Sequence, residues 1–405
     1  MRSLSIILVS TVLTISALYV PQPLLPVLAA QFSISRELAA LLTTIVCIPL
    51  SLAPLAYGYL LEAVPAKRIL RIAMLLLGLS SLALALVDNY SWMLGWRLFQ
   101  GLLIPALLTA LMTYTSQSAA QGDMQRAMAW YIGATITGGF AGRALSGVIA
   151  SLFHWRGSFL VLGVSILIAW AWLAQLPETG TMRMQRPRLG LIREILAKPV
   201  FRRSYLMIFC FFLVFAAIMN FLPFRLTELT AEADELRIGL AYSGYLMGLL
   251  ASLNAVKIQR WCGSVERTMV IALGLYLLAL ALLSVPSIAL LLATMFLFCG
   301  AMFLTHATAT GLLNRLADEH KGMINGLYVA FYYGGGAIGS FLPGYVYRGA
   351  GWLGFISVLL AVVGIALLLA VNLARMRCAC LLYTSDAADD DTIVGGGGVG
   401  GGGWG

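Results

Sequence analysis

The sequence predicts an all-α membrane protein with twelve transmembrane helices in two pseudo-symmetric bundles of six. Three observations lead there. The 405 residues are 60% hydrophobic and 11% charged, with a mean hydropathy of +0.91, whereas a soluble domain is about 25% charged and 45–50% apolar. Long apolar runs recur twelve times along the chain, and the second six repeat the glycine pattern of the first at an offset near 197.

Taken in order, residues 1–176 form a first six-span unit. Its first span carries Arg2 and continues through Tyr19-Val-Pro-Gln-Pro-Leu-Leu-Pro26, too long for the 7–15-residue apolar core of a cleaved signal, so a proline-broken span is expected. Further runs follow at roughly 37–61, 69–87, 92–116, 127–150 and 157–176. Residues 177–203 read as a polar, basic central loop, with Arg183, Arg186, Arg188, Arg193, Lys198, Arg202 and Arg203. Residues 204–377 form the second unit, with spans near 204–224, 238–256, 268–285, 288–313, 323–347 and 351–374. Each approaches the 17–25 residues that cross a bilayer, 268–285 being short. Residues 378–405, a polar stretch and then a glycine run, resemble out-of-frame translation and are expected to be a non-native disordered tail.

The net charge of +9 does not indicate a nucleic-acid partner, because the basic residues lie in short loops between apolar runs. Their distribution sets orientation instead. With both termini inside, 19 of the 26 Lys and Arg fall in cytoplasmic segments, five outside (Arg36, Arg156, Arg225, Arg237, Arg348) and two, Arg97 and Arg143, within spans. The six cysteines have no metal or disulfide spacing, and Cys47, Cys210 and Cys299 sit in apolar runs as packing residues.

The repeat places Gly138, Gly139, Gly142 and Gly147 on Gly335, Gly336, Gly339 and Gly344, Tyr131 on Tyr328, Trp155 on Trp352 and Pro26 on Pro223. Six spans per half give the two copies the same membrane orientation, with a pseudo-two-fold axis along the membrane normal and substrate expected between the halves. One position breaks the repeat: Arg143 falls on Ser340. On a helix, Gly139, Arg143 and Gly147 share a face, and Gly138 and Gly142 form a small-xxx-small pair beside it. An arginine in hydrocarbon costs about 2.5 kcal/mol or more, so it normally faces protein or a water-filled cavity and marks a pathway. Snorkelling to the outer interface, roughly 12 Å away at Ser151, is the alternative for the same residue. As a functional group, Arg143 would supply a positive field that binds an anionic group or repels a proton from a neighbouring carrier site.

Several motifs resemble those of the major facilitator superfamily, over about Met1 to Arg377. Gly58-Tyr-Leu-Leu-Glu-Ala-Val-Pro-Ala-Lys-Arg68 is similar to the family's loop after the second span, with Glu62, Lys67 and Arg68 at its charged positions, while Ala63 and Pro65 depart from the usual Arg and Gly. Arg97-Leu-Phe-Gln100-Gly101 matches the family's R-x-x-Q-G pattern, and the resemblance implies a part for Arg97 and Gln100 in proton coupling. An interfacial cation is the other reading of Arg97. The run around Gly138, Gly139 and Gly142 resembles the antiporter motif without its proline, and G-G-x-x-G-R is similar to twelve-span bacterial efflux permeases. Trp155-Arg156 is similar to the family's W-R at the outer end of the fifth span, and Pro177-Glu178-Thr179 resembles its usual exit from the sixth.

The resemblance implies a proton-coupled secondary carrier, an antiporter moving a small molecule out across a bacterial inner membrane, monomeric and without cofactor. It lines its cavity from particular spans, which points to Tyr19, Gln22, Thr109, Thr113, Arg143, Asn220, His306, Tyr328 and Tyr332 as substrate contacts, with Thr305 and Tyr333 beside them. Each Thr also reads as a hydroxyl bonded to its own i−4 carbonyl, and the tyrosines as packing. His306 in mid-span suits proton exchange. No G-x-x-x-x-G-K-[ST] or H-E-x-x-H motif is present and the three histidines are scattered, so no metal site or catalytic constellation is expected. A transport-inactive sensor or a membrane-embedded enzyme are the rival readings.

Overall fold

The computed structural model describes residues 2–118, 124–178, 189–316 and 320–393, with side chains except at 53–56, 58–63, 377–393 and a few positions beside the gaps. Sixteen α-helical segments and two short 3-10 turns, Gln22–Leu24 and Tyr242–Gly244, occur among the described residues, the last α-helical segment being broken at Gly351. Helix is what the apolar composition demands, because a segment in hydrocarbon must satisfy every backbone N–H and C=O internally.

The first half holds α1 (Arg2–Tyr19), α2 (Leu25–Gln31), α3 (Arg36–Ala63), α4 (Ala66–Ala85), α5 (Tyr90–Ser118), α6 (Met124–Phe153) and α7 (Trp155–Leu173). A short helix α8 (Leu189–Ala197) then leads to α9 (Pro199–Leu229), α10 (Glu235–Ala241), α11 (Tyr245–Leu253), α12 (Ala255–Cys262), α13 (Val265–Leu282), α14 (Ile288–Leu316), α15 (Lys321–Gly339) and α16 (Pro343–Ile393). Ten segments among the described residues are long and apolar enough to cross a bilayer, α1 to α2 and α10 to α11 each counting as one. Helices α3 and α15, of 28 and 19 residues, stand second and eleventh in the expected order.

Several boundaries differ from the sequence reading. The eleventh span, expected over 323–347, is interrupted: α15 stops at Gly339 and a new helix starts at Pro343, while the break before the twelfth span falls at Gly351 (φ 67°), next to the expected boundary between 347 and 351. Proline lacks the N–H a continuing helix needs but fits a first turn. The same effect starts α9 at Pro199, inside the expected central loop, which also contains α8; Arg183, Arg186 and Arg188 lie outside the described residues. Beyond the break at Gly351 the backbone stays helical through Ile393, into the segment expected to be a disordered tail, where Leu and Ala are strong helix formers. Residues 394–405 lie outside those described.

Two large hydrophobic cores form, with a small third cluster around Ala255, Ala272 and Leu304. One draws on residues between Ile6 and Leu176, the other on residues between Ile195 and Leu373, joined by Leu25, Ala39, Ala40 and Ile136 from the first half. The packing has a two-fold pattern: α6 lies on α1 and α15 on α9 within the halves, while α6 meets α10 and α11, and α15 meets α3, between them. Among the described residues, hydrogen bonds and ion pairs between the halves are found toward the end of the molecule, here called distal, where α2, the start of α3 and the end of α9 meet. Arg36 pairs with Glu228 at 2.5 Å, Arg348 approaches Glu37 at 3.7 Å, and the Thr44 and Ser340 hydroxyls bond at 2.7 Å.

Candidate functional site

The break in the first span builds one side of the site. Pro21 has no N–H to offer the carbonyl of Ala17, so the end of α1 is left with unpaired acceptors. Arg97, fully buried in α5, fills them. Its Nη1 donates to the Ala17 carbonyl at 2.7 Å, Nη2 to Leu18 at 2.8 Å and Nε to the Leu42 carbonyl of α3 at 2.8 Å. Gln100 accepts from Nη1 at 2.7 Å and donates to Ser80 and Ser81 at 3.1 Å each. The guanidinium thus fastens α5 to the broken end of α1 and to α3; it is not an interfacial cation.

With the break held open, Tyr19 and Gln22 turn toward α6. Arg143 is 1% exposed, so it does not snorkel. Its Nε donates to Gln22 Oε1 at 2.6 Å and its Nη1 to the Gly139 carbonyl at 2.5 Å. Three tyrosine rings surround the guanidinium carbon, Tyr19 at 3.8 Å, Tyr245 at 4.6 Å and Tyr242 at 5.3 Å from their centroids. The first belongs to one half and the other two to the other. Such contacts spread a buried cation's charge over π faces but do not neutralise it.

Gln22 carries the network across the halves. Its Nε2 donates to Asn220 Oδ1 at 2.9 Å, and Asn220 Nδ2 donates to the Ser340 carbonyl at 2.8 Å and to that of Ala40 at 3.3 Å. Arg143, Gln22, Asn220, Ser340 and Thr44 therefore form one buried polar chain from α6 to α3 through the second bundle. Ser340 is the repeat counterpart of Arg143, and the two stand on either side of the Gln22–Asn220 bond.

A cavity of about 10 Å³, roughly one water, is enclosed by Tyr19, Gln22, Thr43, Cys47, Arg143 and Ser340 on its polar side and by Phe212, Phe215, Ala216 and Met219 of α9. Beyond Phe212 an aromatic stack continues. Tyr332 lies 3.5 Å from the Phe212 centroid, Tyr328 lies 5.8 Å from Tyr332, and the Tyr328 hydroxyl and His306 Nδ1 are hydrogen-bonded. Phe303 links this cluster back to Tyr245 at 5.3 Å. A wider cavity of about 590 Å³, lined by Arg36, Glu37, Glu228, Tyr347 and Arg348, lies at the distal end.

The structure thus brings Tyr19, Gln22, Arg143 and Asn220 together and places His306, Tyr328 and Tyr332 on the adjoining aromatic wall. Thr109 stays apart, its hydroxyl donating to the Pro105 carbonyl four residues back at 2.8 Å, and half-buried Thr113 lines neither cavity. Gly138 and Gly142 face α1, where an added Cβ would meet Val12 O and Ser16 Cα at 2.6 Å each; Gly139 faces Tyr245 at 3.2 Å. Lys67, at the start of α4, pairs with Glu178 at 2.9 Å, a hydrogen bond that holds the Glu178 carboxyl below its ordinary range, whereas Arg68 is exposed. The surroundings of Gly58 and the side chain of Glu62 lie outside what is described. Sequence reasoning missed Thr43, Tyr242, Tyr245, Phe212 and Phe215. The paired threonines Thr43-Thr44 within an apolar run were a signal; the aromatics, common in such runs, were not.

Comparison with known proteins agrees with this architecture. Residues 7–264 match the profile of the Major Facilitator Superfamily. The inner membrane transport protein YnfM of Escherichia coli (strain K12) is 27% identical over 374 residues, 89% of this chain and 88% of that protein. YybF of Bacillus subtilis (strain 168), named an uncharacterized MFS-type transporter, is 24% identical over 366 residues, 89% of this chain and 91% of its own length. Among solved structures, a bacterial homologue of the human lysosomal transporter Spinster, inward-facing and unoccupied, superposes with a TM-score of 0.70 at 15% identity, over 92% of this chain and 96% of that one. The nucleoside transporter NupG, solved as a point mutant, gives 0.72 at 16%, over 92% and 99%. With its two helical halves meeting around a buried polar chain, and with the family profile covering more than half its length, this chain is a multi-pass membrane transporter of the major facilitator superfamily.

Proposed function

We propose that the protein is a proton-coupled secondary carrier that exports a small molecule by alternating access, through twelve spans with both termini in the cytoplasm of a bacterium. The observation that carries this reading is the position of the polar chain. Arg143, Gln22, Asn220, Ser340 and Thr44 lie on the seam between the halves, and the described bonds that close the seam are found toward the distal end. A carrier needs a site reachable from one side at a time, and bonds that fasten one end below the site serve that purpose. The excess of Lys and Arg in the loops at the other end supports a cytoplasmic location for that end. The absence of a nucleotide-binding motif from the sequence leaves an ion or substrate gradient as the driving force. Within this reading, Tyr19, Gln22, Arg143 and Asn220 contact substrate directly, His306 with Tyr328 is the proton-exchanging pair, and Arg97 with Gln100 positions the broken first span.

The deciding experiment is uptake into inverted membrane vesicles across sugars, organic acids and cationic dyes, with and without a proton gradient. Gradient-dependent accumulation of at least one class, collapsed by a protonophore, is expected. Gradient-independent flux would remove the coupling, and no flux of any class would favour a transport-inactive sensor.

A further inference from the structure

Arg143 is a buried cation whose charge nothing in its surroundings balances. No described carboxylate pairs with it, and the described Asp and Glu side chains lie near helix ends, none of them lining the small cavity. Of the guanidinium's five N–H donors, Gln22 and Gly139 take one each and the neutral Tyr19 hydroxyl engages the group as well, so its described partners leave donors over and bring no negative charge. A second group in the same cavity is also unpaired. Thr43, 1% exposed, leaves its Oγ1 without a partner although it lines the cavity with Arg143. Buried polar groups are nearly always satisfied, and unsatisfied ones call for a missing partner. The remaining wall, Phe212, Phe215, Ala216 and Met219, is apolar.

We infer that this cavity is an anion site, and that the substrate is a small organic carboxylate with an apolar, ring-sized body. The inference rests on the carrier reading above for its transport consequence, but not for binding. A carboxylate accepts from the Arg143 donors left over and from the Thr43 hydroxyl and cancels the buried charge, which a cation aggravates and a neutral sugar leaves in place. The body lies against Phe212, Phe215 and Met219. At about 10 Å³ the cavity is closed down here, so a ring enters when α3 and α9 part. A bound carboxylate also competes with Gln22 Oε1 for the guanidinium. Because Gln22 bonds Asn220 of the other half, occupancy loosens the same chain that fastens the distal seam.

The test is thermal unfolding of the purified full-length protein in neutral detergent, at constant ionic strength in sodium chloride, with three probes of one shape: benzoate, benzamide and benzylammonium. Benzoate should raise Tm saturably, and the other two should not. Arg143→Gln should abolish the shift. Arg143→Lys should weaken benzoate at least tenfold, since one ammonium replaces the planar fork, and Thr43→Val should weaken it severalfold. If Arg143→Gln does not fold, Thr43→Val and Arg143→Lys carry the comparison. The inference is overturned by no benzoate shift in the unaltered protein, by an equal shift from benzamide or benzylammonium, or by a benzoate shift indifferent to all three substitutions. A saturable benzoate shift with no flux of benzoate or of any screened class in vesicles would keep the anion site and sink the carrier reading. Flux of a cationic dye with no benzoate shift would do the reverse.

Discussion

Two arginines lie equally deep in this protein, and what separates them is how fully their donors are used. Arg97 spends its guanidinium on three backbone carbonyls and Gln100, whereas Arg143 keeps part of its own free. The first arrangement is that of a staple, the second of a site. Leaving a buried acceptor unpaired costs about 1–3 kcal/mol, so Arg97→Ala, which strands the Ala17 and Leu18 carbonyls at the broken end of α1 and leaves Gln100 short of a donor, should cost several kcal/mol. Arg97→Lys should recover only part of it, because one ammonium cannot span three acceptors on two helices. Tm and the yield of monodisperse protein in detergent are the measurements. Unchanged values for Arg97→Ala would mean that the broken end of α1 is held by something else. The R-x-x-Q-G motif marked Arg97 and Gln100 as a pair, but their task depends on Pro21, far away in sequence, and no local pattern encodes that partnership. Arg143 was more legible, since a charge among glycines at i−4 and i+4 can only sit on a packed face. Its tyrosine cage was not, because Tyr242 and Tyr245 come from the other half and enter only when the halves meet.

At the scale of the helix, the glycines of α6 do two jobs on two faces. Gly138 and Gly142 let α1 approach until backbone meets backbone, and Gly147 does the same for α10, where an added Cβ would lie 2.3 Å from the Glu235 carbonyl. In the second half, Gly335 and Gly339 press on α9 in the same way, with Phe209 O and Leu213 O at 2.3 and 2.0 Å from the added atom. This is how membrane helices associate when lipid is as apolar as their side chains: small residues bring the backbones into van der Waals contact. Gly142→Ala should therefore push α1 away from α6 and lower stability by about 1–3 kcal/mol, the usual cost of overpacking. Gly133→Ala, on the same helix with nothing within 4 Å of the added methyl, should be neutral or slightly stabilising. Comparing the two Tm values isolates packing from helix propensity, and an equal effect at both positions would refute the close-contact account. The glycine spacing made these faces readable from sequence alone. Helix ends were less so, because hydropathy does not register where a proline restarts a helix: Pro343 lies within the apolar run that was expected to stay one span.

For the molecule as a whole, the repeat explains why the polar chain lies where it does. Gln22 and Asn220 stand 198 positions apart, beside the offset of 197 that relates the glycines, so they are near counterparts, and counterparts meet where a pseudo-two-fold axis passes between them. The Gln22–Asn220 bond sits on that seam, with Arg143 on one side and its counterpart Ser340 on the other. Evenly matched halves can rock about such a seam, and substituting an arginine on one side only gives the seam a preferred ligand without disturbing the packing symmetry. If rocking carries substrate, the distal end must part once in each cycle. The Thr44 and Ser340 hydroxyls, 2.7 Å apart across the seam, give a place to prevent it, since cysteine sulfurs on these two carbons can reach bonding distance. In protein carrying Thr44→Cys with Ser340→Cys, copper-phenanthroline oxidation should stop flux of a substrate found in the vesicle screen, and dithiothreitol should restore it. The single variants, which retain Cys47, should lose no flux on oxidation, which separates a seam lock from damage to a native thiol. Undiminished flux through the cross-linked protein, with the disulfide verified by mass spectrometry, would show that the halves do not part at this end, and the distal bonds would then be scaffold and not gate.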